Sequence, residues 1–287
     1  MLRKDLHEKN RLSWNAAMPA QNSHKRDQAA FLRAGGSTLF PEERELLGNI
    51  DGLSLVHLLC NDGETTLSCA QLGATVTGVD ISDAAIEIAR RLAKETHIAA
   101  TFHCMDVFDW FEQATRESQY FDRVFCSIGV LNYLSDLALW MRGVASILRP
   151  GGRLVVVDFH PLLWTLDAQA QLSFPYFRDA DYYGGKWGVG DYVGDAEGAL
   201  SPSGYAVGAR DFQNPLPSHD FRWNLSEILT GVLDAGLALT VLREYPYLNG
   251  AKPFPTARAL PGRRWTMPEG LPSLPLMYGL AASKQGA

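Results

Sequence analysis

Short apolar runs alternate with amphipathic stretches through the middle of the chain. Residues 53–59 read as a strand, 64–72 as a helix and 75–79 as a second strand. Ser82 caps a helix running to about Lys94, with Asp83 and Glu87 in its early turns. A third strand at 98–103, a short helix at 107–115 and a fourth strand at 121–127 follow. A helix at 135–148 is closed by Pro150-Gly151-Gly152, and 153–159 is a fifth strand. Strands alternating with helices imply a parallel sheet covered on both faces, and right-handed crossovers make it doubly wound.

The flanks break this rhythm. Residues 1–50 are polar and mostly helical, with breaks expected at Pro19, Gly35-Gly36 and Pro41, and are read as a lid. Residues 51–287 are read as the main domain, carrying an insertion at about 161–221. That insertion is rich in Gly, Tyr, Phe and Pro and is expected to form a β-rich cap over the strand ends. A helix at 225–235, a strand at 238–245, an irregular Pro-rich stretch at 246–275 and a last strand at 276–283 complete the pattern.

With 46% hydrophobic residues, the 287-residue chain suits one domain with insertions or a cap. A net charge of -6 without a basic face argues against nucleic acid and anionic membranes as partners, leaving a small-molecule substrate. The cluster Arg258, Arg263, Arg264 is too short to change that. Cys60, Cys69, Cys104 and Cys126 lack paired short spacing, so they read as reduced core thiols, and no metal site is expected. No signal peptide and no spanning run are visible, so a cytoplasmic enzyme is the expectation. Nothing in the sequence signals an oligomeric state.

Several residues at strand ends carry candidate chemistry. Asp80 ends the second strand, where a carboxylate can accept both hydroxyls of a ribose; the alternative is a helix cap before Ser82. Ile81 is placed in the same pocket. Gly63 lets a ligand approach the backbone before a helix N-terminus, and Asn61 tolerates a left-handed backbone. Asp106, flanked by Met105 and Val107, can receive an adenine amino group or serve equally as a helix N-cap. Ser127, Asn132 and Tyr133 follow the fourth strand, on the side where such sheets bind ligands.

The motifs VTGVDIS, CMDVF, FDRVFCSIGVLNYL and LRPGGRLVVVD together resemble the class I S-adenosylmethionine (SAM)-dependent methyltransferases. The resemblance is close over about 50–160 and looser over 225–283. It implies a mostly parallel seven-stranded sheet with the last strand inserted antiparallel. It also implies SAM as cofactor, a ribose role for Asp80, an adenine role for Asp106, and a methionine-side role for the turn ending at Gly63. One departure stands out. Where the family turn reads Asp-x-Gly-x-Gly-x-Gly, this chain has His57, Leu59, Asn61 and Gly63. His57 thus replaces the acid often found near the SAM amino group. The runs Trp14-Asn15, Asn22 to Lys25 (with His24) and Arg33 to Phe40 are candidates to complete that end.

The insertion holds Phe174, Tyr176, Phe177, Tyr182, Tyr183, Trp187 and Tyr192. Aromatic faces attract a sulfonium, and Tyr176 is the first candidate; most of the others are expected to pack the cap. Ser203, between Pro202 and Gly204, offers a hydroxyl, and with Asn132 and Tyr176 completes the set of catalytic candidates. Three functions stay open: methyl transfer to a small molecule, cyclisation of SAM itself, and SAM binding without chemistry. The stretches WNAAMPAQNSHK and HLLCNDGE and the aromatic insertion look similar to bacterial azetidine-2-carboxylate synthases. That similarity makes cyclisation, with release of methylthioadenosine, the leading expectation.

Overall fold

The apolar runs become strands because consecutive residues point to opposite faces and both faces are covered. In β1 (Ser54–Leu58), Val56 and Leu58 join one core and Leu55 the other. The computed structural model describes residues 1–286. Strands β2 (Thr75–Asp80), β3 (Thr101–Cys104), β4 (Phe121–Cys126) and β5 (Leu148–Phe159) follow in chain order. Two-residue strands β6 (Tyr183–Gly184) and β7 (His219–Asp220) pair antiparallel. The remaining strands are β8 (Leu237–Tyr245), β9 (Tyr247–Asn249), β10 (Arg258–Leu260), β11 (Arg264–Thr266) and β12 (Met277–Lys284).

The main sheet has seven strands in the order β3-β2-β1-β4-β5-β12-β8. The first five run parallel, and β12 enters antiparallel between β5 and β8. This is the mostly parallel seven-stranded sheet expected. The chain winds outward from β1 to β3, then returns to β4 beside β1, which leaves a crevice at the β1–β4 switch point.

Among the described residues nine α-helices accompany the strands: α1 (Lys4–Ser23), α2 (Gln28–Arg33), α3 (Pro41–Leu47), α4 (Glu64–Ala70), α5 (Asp83–Thr96), α6 (Val107–Arg116), α7 (Leu137–Ile147), α8 (Tyr192–Asp195) and α9 (Leu225–Asp234). Trp110 of α6 and Trp140 and Met141 of α7 lock one face against Val56, Leu154 and Val156. Leu46 and Leu47 of α3 close the other over Leu55, Val155 and Val157. Fully buried side chains of this size each contribute about 1.5–3 kcal/mol.

Three expectations need correction. Pro19 does not break the first helix: α1 runs through it to Ser23. The insertion is not β-rich; beyond β6, β7 and the single turn α8 it is mostly irregular. Its backbone is satisfied instead by the first helix, as when Ser13 Oγ accepts from Val189 N. Conversely, the Pro-rich stretch after β8 is ordered as a three-stranded sheet, β10-β11-β9.

Candidate active site

The turn after β1 keeps a left-handed backbone at alternate residues without the glycines. Leu59 (φ 52), Asn61 (φ 50) and Gly63 (φ 75) all lie there. These are the positions at which the family motif has glycine. A non-glycine residue in this region costs about 1–2 kcal/mol, less for Asn, so Leu59 and Asn61 hold strain at the crevice. Asn61 offsets part of it: its Oδ1 accepts from Asp62 N (2.7 Å) and its Nδ2 donates to the Tyr192 hydroxyl (3.3 Å). At Gly63 no substitute fits, because a Cβ would sit 2.6 Å from that of Ala89.

Asp80 joins this turn to the next helix. Its carboxylate accepts from Asn61 N and Ser82 N, each at 2.8 Å. Ser82 caps α5, accepting from Ala85 N (3.2 Å), which leaves remaining Asp80 lone pairs for a ligand. Burial pushes the Asp80 carboxyl up to about 6, against the pull of those backbone N–H groups. Asp106 does cap its helix: it accepts from Phe108 N (2.9 Å) and meets His7 Nδ1 at 2.6 Å. Burial raises the Asp106 carboxyl, and His7, the Phe108 N–H and Lys4 together more than reverse this, leaving it below the usual range.

His57 is fully buried. Its Nδ1 meets Thr66 Oγ1 (2.9 Å), its Nε2 meets Ser127 Oγ (3.1 Å), and its ring stacks on Phe125. Burial pushes the imidazole down to about 3, so it is neutral at physiological pH. Next to it, the buried ammonium of Lys25 bridges Asp62 and Glu64; burial lowers its affinity for the proton, and the two carboxylates outweigh that and raise it.

The far wall is the loop after β4. Asp158 holds it by accepting from the backbone N–H of Gly129 (2.6 Å), Val130 (3.2 Å) and Leu131 (2.9 Å). Burial pushes this carboxyl up to about 6. The roof is α1, whose His7, Asn10, Trp14, Met18 and Gln21 form one stripe at helical spacing toward the cavity. Trp14 meets Tyr133 and Tyr192 edge-on, with ring centroids 5.7 and 5.9 Å apart. Together floor and roof enclose a cavity of about 510 Å³.

Of the residues singled out from sequence, His57, Asn61, Asp80, Ile81, Met105, Asp106, Val107, Ser127 and Asn132 line this cavity. Four do not. Gly63 packs behind the turn, where its missing Cβ makes room for Ala89 and Phe102. Tyr176 is turned elsewhere: its hydroxyl accepts from Leu225 N (3.2 Å) and its ring meets Phe177. His24 is occupied by Asp191 (2.7 Å) and stacks on Tyr205, fastening the insertion to the end of α1. Ser203 lies outside the lining, beyond Pro202. The aromatic side chains at the cavity therefore include Trp14, Tyr133 and Tyr192, with Phe40, Phe108, Phe159 and Trp164, but not Tyr176. Asp220 of β7 and His7 also line it, unforeseen. The α1 periodicity could have revealed His7; nothing local to Asp220 marks it.

Comparison with known proteins agrees with this geometry. Residues 56–152 match the family model described as "Methyltransferase domain". A ubiquinone biosynthesis O-methyltransferase from Coxiella burnetii (strain RSA 493 / Nine Mile phase I) is 29% identical over 105 residues, 37% of this chain and 43% of that protein. Its namesake from Methylocella silvestris is 30% identical over 146 residues, 48% of this chain and 55% of that protein. The chain thus spans about half the length of these curated relatives. The solved SAM-dependent methyltransferase from Mesorhizobium loti shares the fold, with a TM-score of 0.52 at 19% identity, covering 87% of this chain and 99% of that one. Another, from Clostridium acetobutylicum, gives 0.53 at 11%, covering 89% and 95%. Over residues 56–152 the chain is thus similar to methyltransferase domains, and it shares its fold with solved SAM-dependent methyltransferases.

Proposed function

We propose that this chain is an enzyme of small-molecule metabolism that binds SAM in the roofed cavity. The adenosine lies toward Asp80 and Asp106, and the methionine end toward the turn at 59–63. The observation carrying this reading is the union of that left-handed turn with Asp80 through Asn61 N at the β1–β4 crevice. The residues fit the ligand: Asp80 offers acceptors for a ribose diol, and Trp14, Tyr133 and Tyr192 offer aromatic faces to a sulfonium.

Methyl transfer to a small nucleophile is the chemistry that the matched relatives support, since both are named O-methyltransferases. Displacement at a methyl carbon depends chiefly on alignment, which a rigid floor and a fastened roof favour. A cavity of about 510 Å³ suits small partners rather than a macromolecule.

A specific observation favours a second reading, cyclisation of SAM to azetidine-2-carboxylate with release of methylthioadenosine. That reaction needs a neutral amine on SAM. His57 supplies no negative charge where the family often has an acid, and Asp62 and Glu64 are engaged by Lys25. The turn therefore gives little support to an ammonium. Both relatives match less than half of this chain.

One experiment separates the readings. Pure protein is incubated with SAM, first alone and then with small nucleophiles, and products are identified by mass. S-adenosylhomocysteine appearing only with an acceptor supports methyl transfer. Methylthioadenosine and azetidine-2-carboxylate from SAM alone support cyclisation. Undetectable SAM binding would refute the proposal in either form.

A further inference from the structure

We infer that Asp220 and Asn132 form the seat of the attacking nitrogen, a carboxylate and an amide oxygen that hold an amine and take its proton. The inference rests on the SAM-dependent reading above and names the nucleophile that reading leaves open.

Asp220 lines the cavity beside Asn132, Tyr133 and Ser218. Its strand is pinned on both sides of that carboxylate. His219 exchanges two backbone hydrogen bonds with the Asn10 side chain, and Phe221 N donates to Asn132 O at 2.7 Å. One carboxylate oxygen accepts from Asn132 Nδ2 at 3.3 Å. Among the described residues no ion pair neutralises it. The guanidinium of Arg222, whose charge acts to lower the Asp220 carboxyl, is held by Trp164 O (3.3 Å) and by the ring of Tyr183 (4.3 Å). Asn132 Oδ1 is buried without a hydrogen-bond partner.

Two acceptors thus stand together at the cavity, an amide oxygen without a donor and a carboxylate without a paired cation. A hydroxyl brings one donor. An ammonium brings several, together with the charge that Asp220 lacks. Burial raises the Asp220 carboxyl, which suits it to receive a proton, although Arg222 and Asn132 temper the shift. In the step, the ammonium passes one proton to the Asp220 carboxylate. The freed nitrogen lone pair forms a bond to the carbon beside sulfur, the carbon–sulfur bond breaks, and its electron pair remains on sulfur. In methyl transfer the amine belongs to an acceptor; in cyclisation it is SAM's own.

Calorimetry tests the seat without turnover. S-adenosylhomocysteine and its des-amino analogue are titrated into wild type and Asp220→Asn, and small primary amines into each protein saturated with S-adenosylhomocysteine. If the amine is SAM's own, the des-amino analogue binds wild type at least about tenfold more weakly, and Asp220→Asn erases the gap. If it is external, an amine binds the saturated wild type and is lost in Asp220→Asn. In both cases SAM turnover in the variant falls by about 100-fold; S-adenosylhomocysteine affinity stays within about threefold of wild type if the amine is external and falls by about the same tenfold if it is SAM's own. Asp220→Glu, which keeps the charge, restores part of each effect. Binding and turnover indifferent to Asp220→Asn overturn the inference alone. Equal losses in both variants, with the des-amino analogue weakened as much as S-adenosylhomocysteine, indicate packing and overturn it too. Wild type that binds no S-adenosylhomocysteine removes the SAM reading and this inference together.

Discussion

His57→Gln is expected to remove much of the acid sensitivity of the fold. The buried imidazole keeps a pKa of about 3, against 6.5 for an ordinary histidine. A depressed folded value means that its contribution is complete above pH 6.5 and is lost as pH falls toward 3. Each pH unit within that window costs about 1.4 kcal/mol, so near pH 5 the loss is about 2 kcal/mol. Glutamine keeps hydrogen-bonding capacity toward Thr66 and Ser127 but does not titrate. Lost stacking on Phe125 makes the variant less stable at neutral pH, by a margin that does not depend on pH. Urea unfolding of both proteins at about pH 7.5 and about pH 5 isolates the effect, since other groups cancel between them. The wild-type advantage should shrink by about 2 kcal/mol on acidification. An advantage equal at both pH values would show that His57 titrates normally, and the case for a charge-poor methionine end would fall with it.

Asp80→Ala should weaken SAM binding by about 1–3 kcal/mol in calorimetry, as for a lost charged hydrogen bond. In wild type that affinity should decline as pH drops below about 6, where Asp80 takes up its proton and loses acceptor capacity. Lys25→Met leaves Asp62 and Glu64 buried without their cation, and should cost about 3–5 kcal/mol in urea unfolding. Gly63→Ala combines a left-handed backbone with a Cβ 2.6 Å from Ala89, so its melting temperature should fall, while Gly151→Ala, left-handed but open, should fall less.

The alternating half of the fold was legible because each strand carries its own burial pattern. Val155 and Val157 face one core and Leu154 and Val156 the other, and no distant residue is needed to see it. Asp80 was legible for the same reason, since its place follows from the end of a recognisable strand. The roof was not. β6 and β7 hold two residues each and pair across a long stretch, too short for any periodicity to register. Seven aromatic residues in one insertion look alike in sequence, and their facing depends on partners elsewhere: Tyr192 on Asn61, Tyr176 on Leu225. Pro19 misled because a helix packed on both the sheet ends and the insertion can tolerate one missing N–H.

The clasp between Asn10 and His219 spans 209 positions, and so it orders events during synthesis. The first helix leaves the ribosome well before the strand that holds it. At roughly 5–20 residues per second, its partner follows on the order of ten to forty seconds later. Over that interval the floor, from β1 through β5, can fold while the roof waits as a polar helix with no dock. A nascent chain can therefore present the turn at 59–63 before it can enclose anything there. A chain truncated before His219 would lack the clasp, and with it the strands β8 and β12 that complete the main sheet.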